Sequence, residues 1–224
     1  DLPIDGSFRL EDFMPADCNR EALAMLLAWR QWPQPACVLV GPPSSGRTHL
    51  AHIFAQVASA RFLPGPELWR IEDPLAALGD RTALAIDDAD AAAEPRRLLE
   101  FYNLIHERRG RILLVASAQP REWGFDLPDL VSRLTAALAL HIGPPDEDLL
   151  AALLVKQFAD RQLQVAPEVI HYLVAHMERT FAAARRLVHL LDRLSLATHR
   201  AITLPLARLA LAELVGNDGD FNGV

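Results

Sequence analysis

The chain has 224 residues, is 51% apolar, and carries a formal net charge of −7 with an isoelectric point near 5.6. That apolar share supports a sizeable core and excludes a disordered chain, and the acidic balance argues against a protein whose main task is gripping a phosphate backbone. Cys18 and Cys37 form neither a metal pattern nor a disulfide framework, the histidines show no ligand spacing, and no membrane span or secretory signal stands out, so a cytoplasmic protein is expected.

In chain order, Asp1 to Arg9 reads as extended. A helix is expected from Arg20 to about Trp29, with Asp17 or Asn19 as its N-cap and Trp32, Pro33 and Pro35 as its stop. The apolar run Ala36–Val40 then leads into Gly41-Pro42-Pro43-Ser44-Ser45-Gly46-Arg47-Thr48-His49, and a helical pattern runs from Thr48 to about Ser59. Strand, glycine-bounded loop and helix form the context in which G-x-x-x-x-G-K-[ST] becomes a phosphate site. Backbone N–H groups and the helix N-terminus point at phosphate oxygens, and Thr48 supplies a hydroxyl for Mg²⁺. Arg47 stands where the pattern has lysine: the charge is kept, but a planar fork replaces a point charge.

Arg61 to Gly79 is rich in turn residues and predicts at most a short strand near Leu68–Ile71. The run Thr82 to Ile86 ends in Asp87 and Asp88, a buried strand with acids at its C-terminal edge, where open α/β sheets bind ligands. There Asp87 would hold Mg²⁺ and Asp88 would polarise an attacking water. A helix follows from Glu94 to Arg109 on the stripe Leu98, Phe101, Tyr102 and Ile105, stopped by Gly110. Arg111–Ser117 reads as a strand, Asp126–Leu134 as a short connection, and Ala136–Ile142 as another strand. Alternating strands and helices predict an α/β fold with a parallel sheet sandwiched by helices. Beyond Gly143-Pro144-Pro145 helices are expected near Asp146–Arg161, Pro167–Met177, Phe181–Ala197 and Pro205–Leu214, with a weak strand at Ala201–Leu204. The predicted organisation is an α/β core over 1–143, a small helical lid over 144–215 and a frayed tail over 216–224.

A phosphate-loop core followed by a helical lid resembles the AAA+ layout. The segment from Phe13 to Arg20 resembles the N-terminal box of the replication initiator DnaA. The Thr48-His49-Leu50 continuation and Ile86-Asp87-Asp88 also resemble DnaA, and Leu127 to Leu134 is similar to its box VII, which carries the arginine finger. The segment from Leu191 to Pro205, together with an arginine in the phosphate loop, is similar to the Hda family. These are DnaA-related AAA+ factors that, with the DNA-loaded sliding clamp, promote hydrolysis of ATP on DnaA. Because the sequence ends after the lid, DnaA's DNA-binding domain is not expected to follow it.

The resemblance implies ADP or ATP as cofactor, with Mg²⁺, held by Gly41 to His49. Adenine would lie near Phe13, Met14 and Asn19. Ser117 would serve as sensor 1, since Ala118 follows where the polar residue of DnaA would fall. For sensor 2 the family arginine aligns with Ala182, leaving Arg185, preferred, and Arg179 as candidates. Arg133 would be an arginine finger acting in trans. DnaA and the sliding clamp are the implied partners, the clamp through residues at or before Asp1, because the first residue is not Met and natural N-terminal residues are expected to have been trimmed. Strong direct DNA binding and membrane association are not expected, and a homodimer stays open. Intrinsic ATP hydrolysis is expected to be slow or absent. The alternative is an ATPase of the DnaA or helicase-loader type that cycles its own ATP, which intact Thr48, Asp87 and Asp88 favour.

Overall fold

The structure is a computed structural model and describes residues 8–198 and 201–219. The chain divides into two compact units, Asp1–Gly143 and Pro144–Val224.

The first unit is built on five strands: β1 (Ala36–Val40), β2 (Arg61–Pro64), β3 (Ala83–Asp87), β4 (Arg111–Ala116) and β5 (Leu138–His141). All paired strands run parallel, in the order β2-β3-β4-β1-β5. β1 and β3 are buried at every position, which is why they read as continuous apolar runs instead of alternating ones. Helices cover the sheet. In α2 (Arg47–Val57), Leu50, Ile53 and Phe54 are fully buried. In α4 (Pro95–Glu107), Leu98, Phe101 and Ile105 pack into the cluster that holds Val38, Leu84 and Leu114. Burying each such side chain contributes about 1.5–3 kcal/mol.

Register decides where the chemistry gathers. Val40 pairs with Ala116, and Ile86 pairs with Leu114. The loops after β1, β3 and β4 therefore leave one edge of the sheet side by side, and they carry Gly41, Asp87–Asp88 and Ser117.

Several elements differ from the sequence expectation. The strand after α2 lies at Arg61–Pro64, not Leu68–Ile71, which belongs mostly to a 3₁₀ segment, Gly65–Arg70. As an edge strand held only by β3, it needs just one fully buried side chain, Leu63, so its periodicity is faint. A short helix, α3 (Pro74–Leu78), follows it and was not anticipated; Asp73 caps it by accepting from the Leu75 and Ala76 amides. The expected connection at Asp126–Leu134 contains a helix, α5 (Pro128–Thr135), with proline in its first turn and Leu130 and Leu134 buried one turn apart. The first helix, α1 (Arg20–Leu27), has Asn19 at its N-cap position, but the side chain does not cap it. Asn19 instead accepts from the Ala16 amide at 2.8 Å and donates to Met14 O at 3.1 Å, while Asp17 pairs with Arg20 at 3.0 Å. Cys37 is buried in β1, which pushes its thiol up and leaves it as packing.

The second unit comprises α6 (Glu147–Asp160), α7 (Pro167–His176), α8 (Phe181–Thr198) and α9 (Leu204–Gly219). Asp146 caps α6 by accepting from the Leu149 amide, and Thr180 does the same for Ala183 in α8. Leu150, Leu154, Phe158, Leu173, Leu187 and Leu191 form its core. The weak strand at Ala201–Leu204 reduces to one bridge, Val165 to Ile202. Because α9 continues through Gly219, residues 216–219 are helical where a tail was expected; 220–224 lie outside the described residues, as does the expected clamp-binding segment at Asp1. Among the described residues no helix is long and apolar enough to cross a membrane.

Candidate nucleotide site

The loop between β1 and α2 folds as its glycines require. Gly46 adopts φ +88°, a left-handed conformation that side chains resist, and delivers the chain into α2. At Gly41 an added Cβ would come within 2.9 Å of both Ile142 Cβ and Ser45 Oγ, so only glycine lets the loop close there. Two non-glycine residues around the site are also left-handed, Ser44 at φ 64° and Asp88 at φ 49°. Such strain persists where the surroundings over-determine it, which is common at ligand sites.

Three buried polar atoms here have no hydrogen-bond partner in the protein: Ser45 Oγ, Arg47 Nη1 and Asp87 Oδ1. Buried polar groups are nearly always satisfied. Two donors beside the phosphate loop and a carboxylate oxygen beside Thr48 match the two halves of a phosphate–cation pair, so these residues fit a nucleotide with its metal. Asp87 is 7% exposed, and burial pushes its carboxyl above the ordinary value, opposed by a hydrogen bond from Thr48. Among the described residues no group of three or more His, Cys, Asp or Glu converges to hold a metal without such a ligand.

Arg47 is mostly buried, and its Nη2 lies 4.0 Å from Asp88 Oδ1. The lysine-position cation thus faces the carboxylate expected to orient water. Phe13 packs against the loop: its ring meets His49 edge-on at 5.3 Å and would contact a Cβ at Gly46. His49 is turned the other way, donating from Nε2 to Arg9 O at 2.8 Å. Asn19 spends its amide on folding the Met14–Ala16 turn rather than facing outward.

Ser117 stands at the end of β4, but Asp90 already engages it. The Asp90 carboxylate accepts from the Ser117 amide at 2.8 Å and from its hydroxyl as well. Asp90 is the residue that sequence reading passed over: it lies 27 positions away, and only the pairing of β3 with β4 brings the two together. Arg133 lies on α5 and pairs with Asp129, with Nε at 2.9 Å from Oδ1. Among the described residues, its contacts are to Asp129 and Tyr102 and none is to the Gly41–Thr48 loop. In the second unit Arg179 pairs with Glu147 at 2.5 Å. Arg185 is exposed on α8, lining a groove of about 440 Å³ with Arg186, His189 and Arg193.

Asp87 carries a pH prediction. A carboxyl raised in the folded state favours folding when protonated, and that contribution is lost as pH rises through the folded value. At neutral pH the ionised form therefore costs stability in the nucleotide-free protein. Asp87→Asn is expected to raise its melting temperature by about 2–4 °C, with the gain shrinking on acidification toward the ordinary carboxylate range. The same variant should lose the Mg²⁺ dependence of nucleotide binding. Thermal melts across pH, paired with calorimetry with and without Mg²⁺, check both; a lower melting temperature at neutral pH would refute the first.

Comparison with known proteins agrees with this architecture. Residues 146–211 match the family model described as the Hda lid domain. Over both units the chain is similar to domain III of the replication initiation protein DnaA of Thermotoga maritima, with a TM-score of 0.77 and 17% identity, covering 94% of this chain and 98% of that one. It is similar to AMPPCP-bound DnaA of Aquifex aeolicus, with a TM-score of 0.66 and 18% identity, covering 87% of this chain and 67% of that one. It is also similar to the Thermotoga maritima RuvB Holliday junction branch migration motor, with a TM-score of 0.68 and 17% identity, covering 92% and 72%. Residues 146–211 thus match an Hda lid domain, and the chain as a whole has the fold of DnaA domain III.

Proposed function

We propose that this protein is a nucleotide-bound replication factor that acts on DnaA: together with the DNA-loaded sliding clamp, it stimulates hydrolysis of DnaA-bound ATP. The observation that carries this reading is the contrast between two arginines. Arg47 sits in the protein's own glycine-bounded loop beside Asp88, whereas Arg133 is partly exposed on α5 and, among the described residues, contacts Asp129 of α5 and Tyr102 of α4. A cation offered from the surface suits an oxygen on a neighbour's nucleotide.

Each residue then has a role. The Gly41–Thr48 loop binds phosphates through its amides, with Ser45 Oγ and Arg47 Nη1 adding donors. Thr48 and Asp87 would hold Mg²⁺, which supplies charge neutralisation when bound. Phe13 and Met14 would flank adenine. Arg47 draws on the Asp88 carboxylate and so weakens its hold on an attacking water, which keeps the protein's own ATP or ADP in place. Ser117, tied to Asp90, fixes the end of β4 beside the site. Arg185 or Arg179 would report the nucleotide to the lid.

A second reading, an ATPase that cycles its own nucleotide, is supported by the Thr48–Asp87 hydrogen bond, which brings together a hydroxyl and a carboxylate that would suit a cation. One assay separates them: ATP turnover of the protein alone, of DnaA alone, and of both with clamp loaded on DNA. The regulatory reading expects little turnover by the protein alone and a large increase on DnaA in the mixture. Fast turnover by the protein alone, unaffected by DnaA, would establish the second reading instead.

A further inference from the structure

Arg133 does not hang freely from α5. Its Nε donates to Asp129 Oδ1 at 2.9 Å, one turn back on the same helix, and the guanidinium carbon lies 5.6 Å from the centroid of the Tyr102 ring on α4. Tyr102 is 8% exposed and belongs to the inward stripe of α4, so its ring is a fixed surface. The Arg133 side chain keeps 36% of its exposure. Neither contact uses the two terminal nitrogens, and among the described residues these make no hydrogen bond.

We infer that Asp129 and Tyr102 are positioning residues for Arg133: they grip the guanidinium by its inner edge and one face, and present its outer fork ready-oriented to an anionic oxygen. This rests on the trans-acting role proposed above for Arg133. The chemistry follows from which nitrogen is held. A carboxylate that met both terminal nitrogens would form the bidentate pair and occupy the fork a phosphate needs. Held through Nε, the arginine keeps both terminal N–H groups for the incoming oxygen. An untethered arginine would also lose rotamer freedom at the moment of docking, whereas a tethered one has lost it on folding. The aromatic face favours the cation without competing for its N–H donors. The buried Leu130 and Leu134 fix α5 itself, so the orientation is set relative to the core.

The test uses the full protein with DnaA and DNA-loaded clamp, reading the maximal stimulated rate and the half-saturating concentration separately. Asp129→Ala and Tyr102→Leu should each lower the maximal rate on the order of tenfold, short of the ~10²-fold that a 1 Å misplacement can cost. The half-saturating concentration and ADP affinity should stay unchanged. Tyr102→Phe should restore near-wild-type rate, because the ring face remains. If Tyr102→Leu proves unstable in thermal melts, Asp129→Ala decides, since the Asp129 side chain is 57% exposed. Arg133→Ala is the reference. Should it abolish stimulation while Asp129→Ala runs at the wild-type rate, the inference is overturned and the trans role stands. A rate increase on removing Asp129 also overturns it, since the pair would then be a restraint. If Arg133→Ala itself runs at the wild-type rate, the trans role fails and takes this inference with it.

Discussion

Arg133→Ala is expected to remove stimulation of DnaA-bound ATP hydrolysis by about 10³–10⁵-fold, the range in which arginine fingers act in other phosphoryl-transfer systems. The transition state spreads negative charge over the transferred phosphoryl oxygens, so a guanidinium inserted there stabilises it more than the ground state. The competing account gives Arg133 only its pair with Asp129, four residues back on α5. Such helical surface pairs contribute about 0.3–0.5 kcal/mol, and losing one would lower the melting temperature by no more than about 2 °C. The two accounts differ by orders of magnitude in rate. Single-turnover hydrolysis of DnaA-bound ATP, measured beside melting temperature and ADP affinity of the variant, distinguishes them. Wild-type stimulation by the alanine variant would assign Arg133 to the fold and send the search for the contact surface elsewhere.

The second large effect concerns Arg47. The guanidinium is mostly buried, has an unpartnered Nη1, and lies 4.0 Å from Asp88. Arg47→Ala should weaken ADP and ATP binding by roughly 10–100-fold, because hydrogen bonds to charged groups are worth about 1.5–3 kcal/mol. Arg47→Lys should behave differently. An ammonium keeps the charge on the phosphates but lacks the fork that spans toward Asp88, so binding should persist while intrinsic ATP turnover rises. Calorimetry with each nucleotide, followed by phosphate release from the protein alone, measures both. Unchanged affinity in the alanine variant would remove Arg47 from the site. Unchanged turnover in the lysine variant would show that Asp88 is not restrained by Arg47.

Some of this protein is written locally and some is not. The strand, glycine-bounded loop and helix around Gly41–Gly46 could be read directly, because Gly41 and Gly46 answer local steric demands and Ala36–Val40 is apolar for a reason that holds wherever a strand is covered on both faces. The acids after β3 and the four helices of the second unit were legible for the same kind of reason: run length, caps such as Asp146 and Thr180, and proline or glycine stops act within a few residues. Whatever depended on a distant partner was not legible. β2 exists as a strand because β3 offers it an edge, and Arg61–Pro64 alone carries too little periodicity to say so. α5 is too short to announce itself by repeat, and burial of Leu130 and Leu134 against the core stabilises it. Asp17 and Asn19 both suit a cap by local sequence, yet the Asn19 amide folds the preceding turn and Asp17 pairs with Arg20. The pairings at the site, Arg47 with Asp88 and Asp90 with Ser117, and the separate pairing of Arg133 with Tyr102, join residues 41, 27 and 31 positions apart. Local propensity carries no information at that separation; the order of the parallel strands and the helices packed on them brought those side chains together.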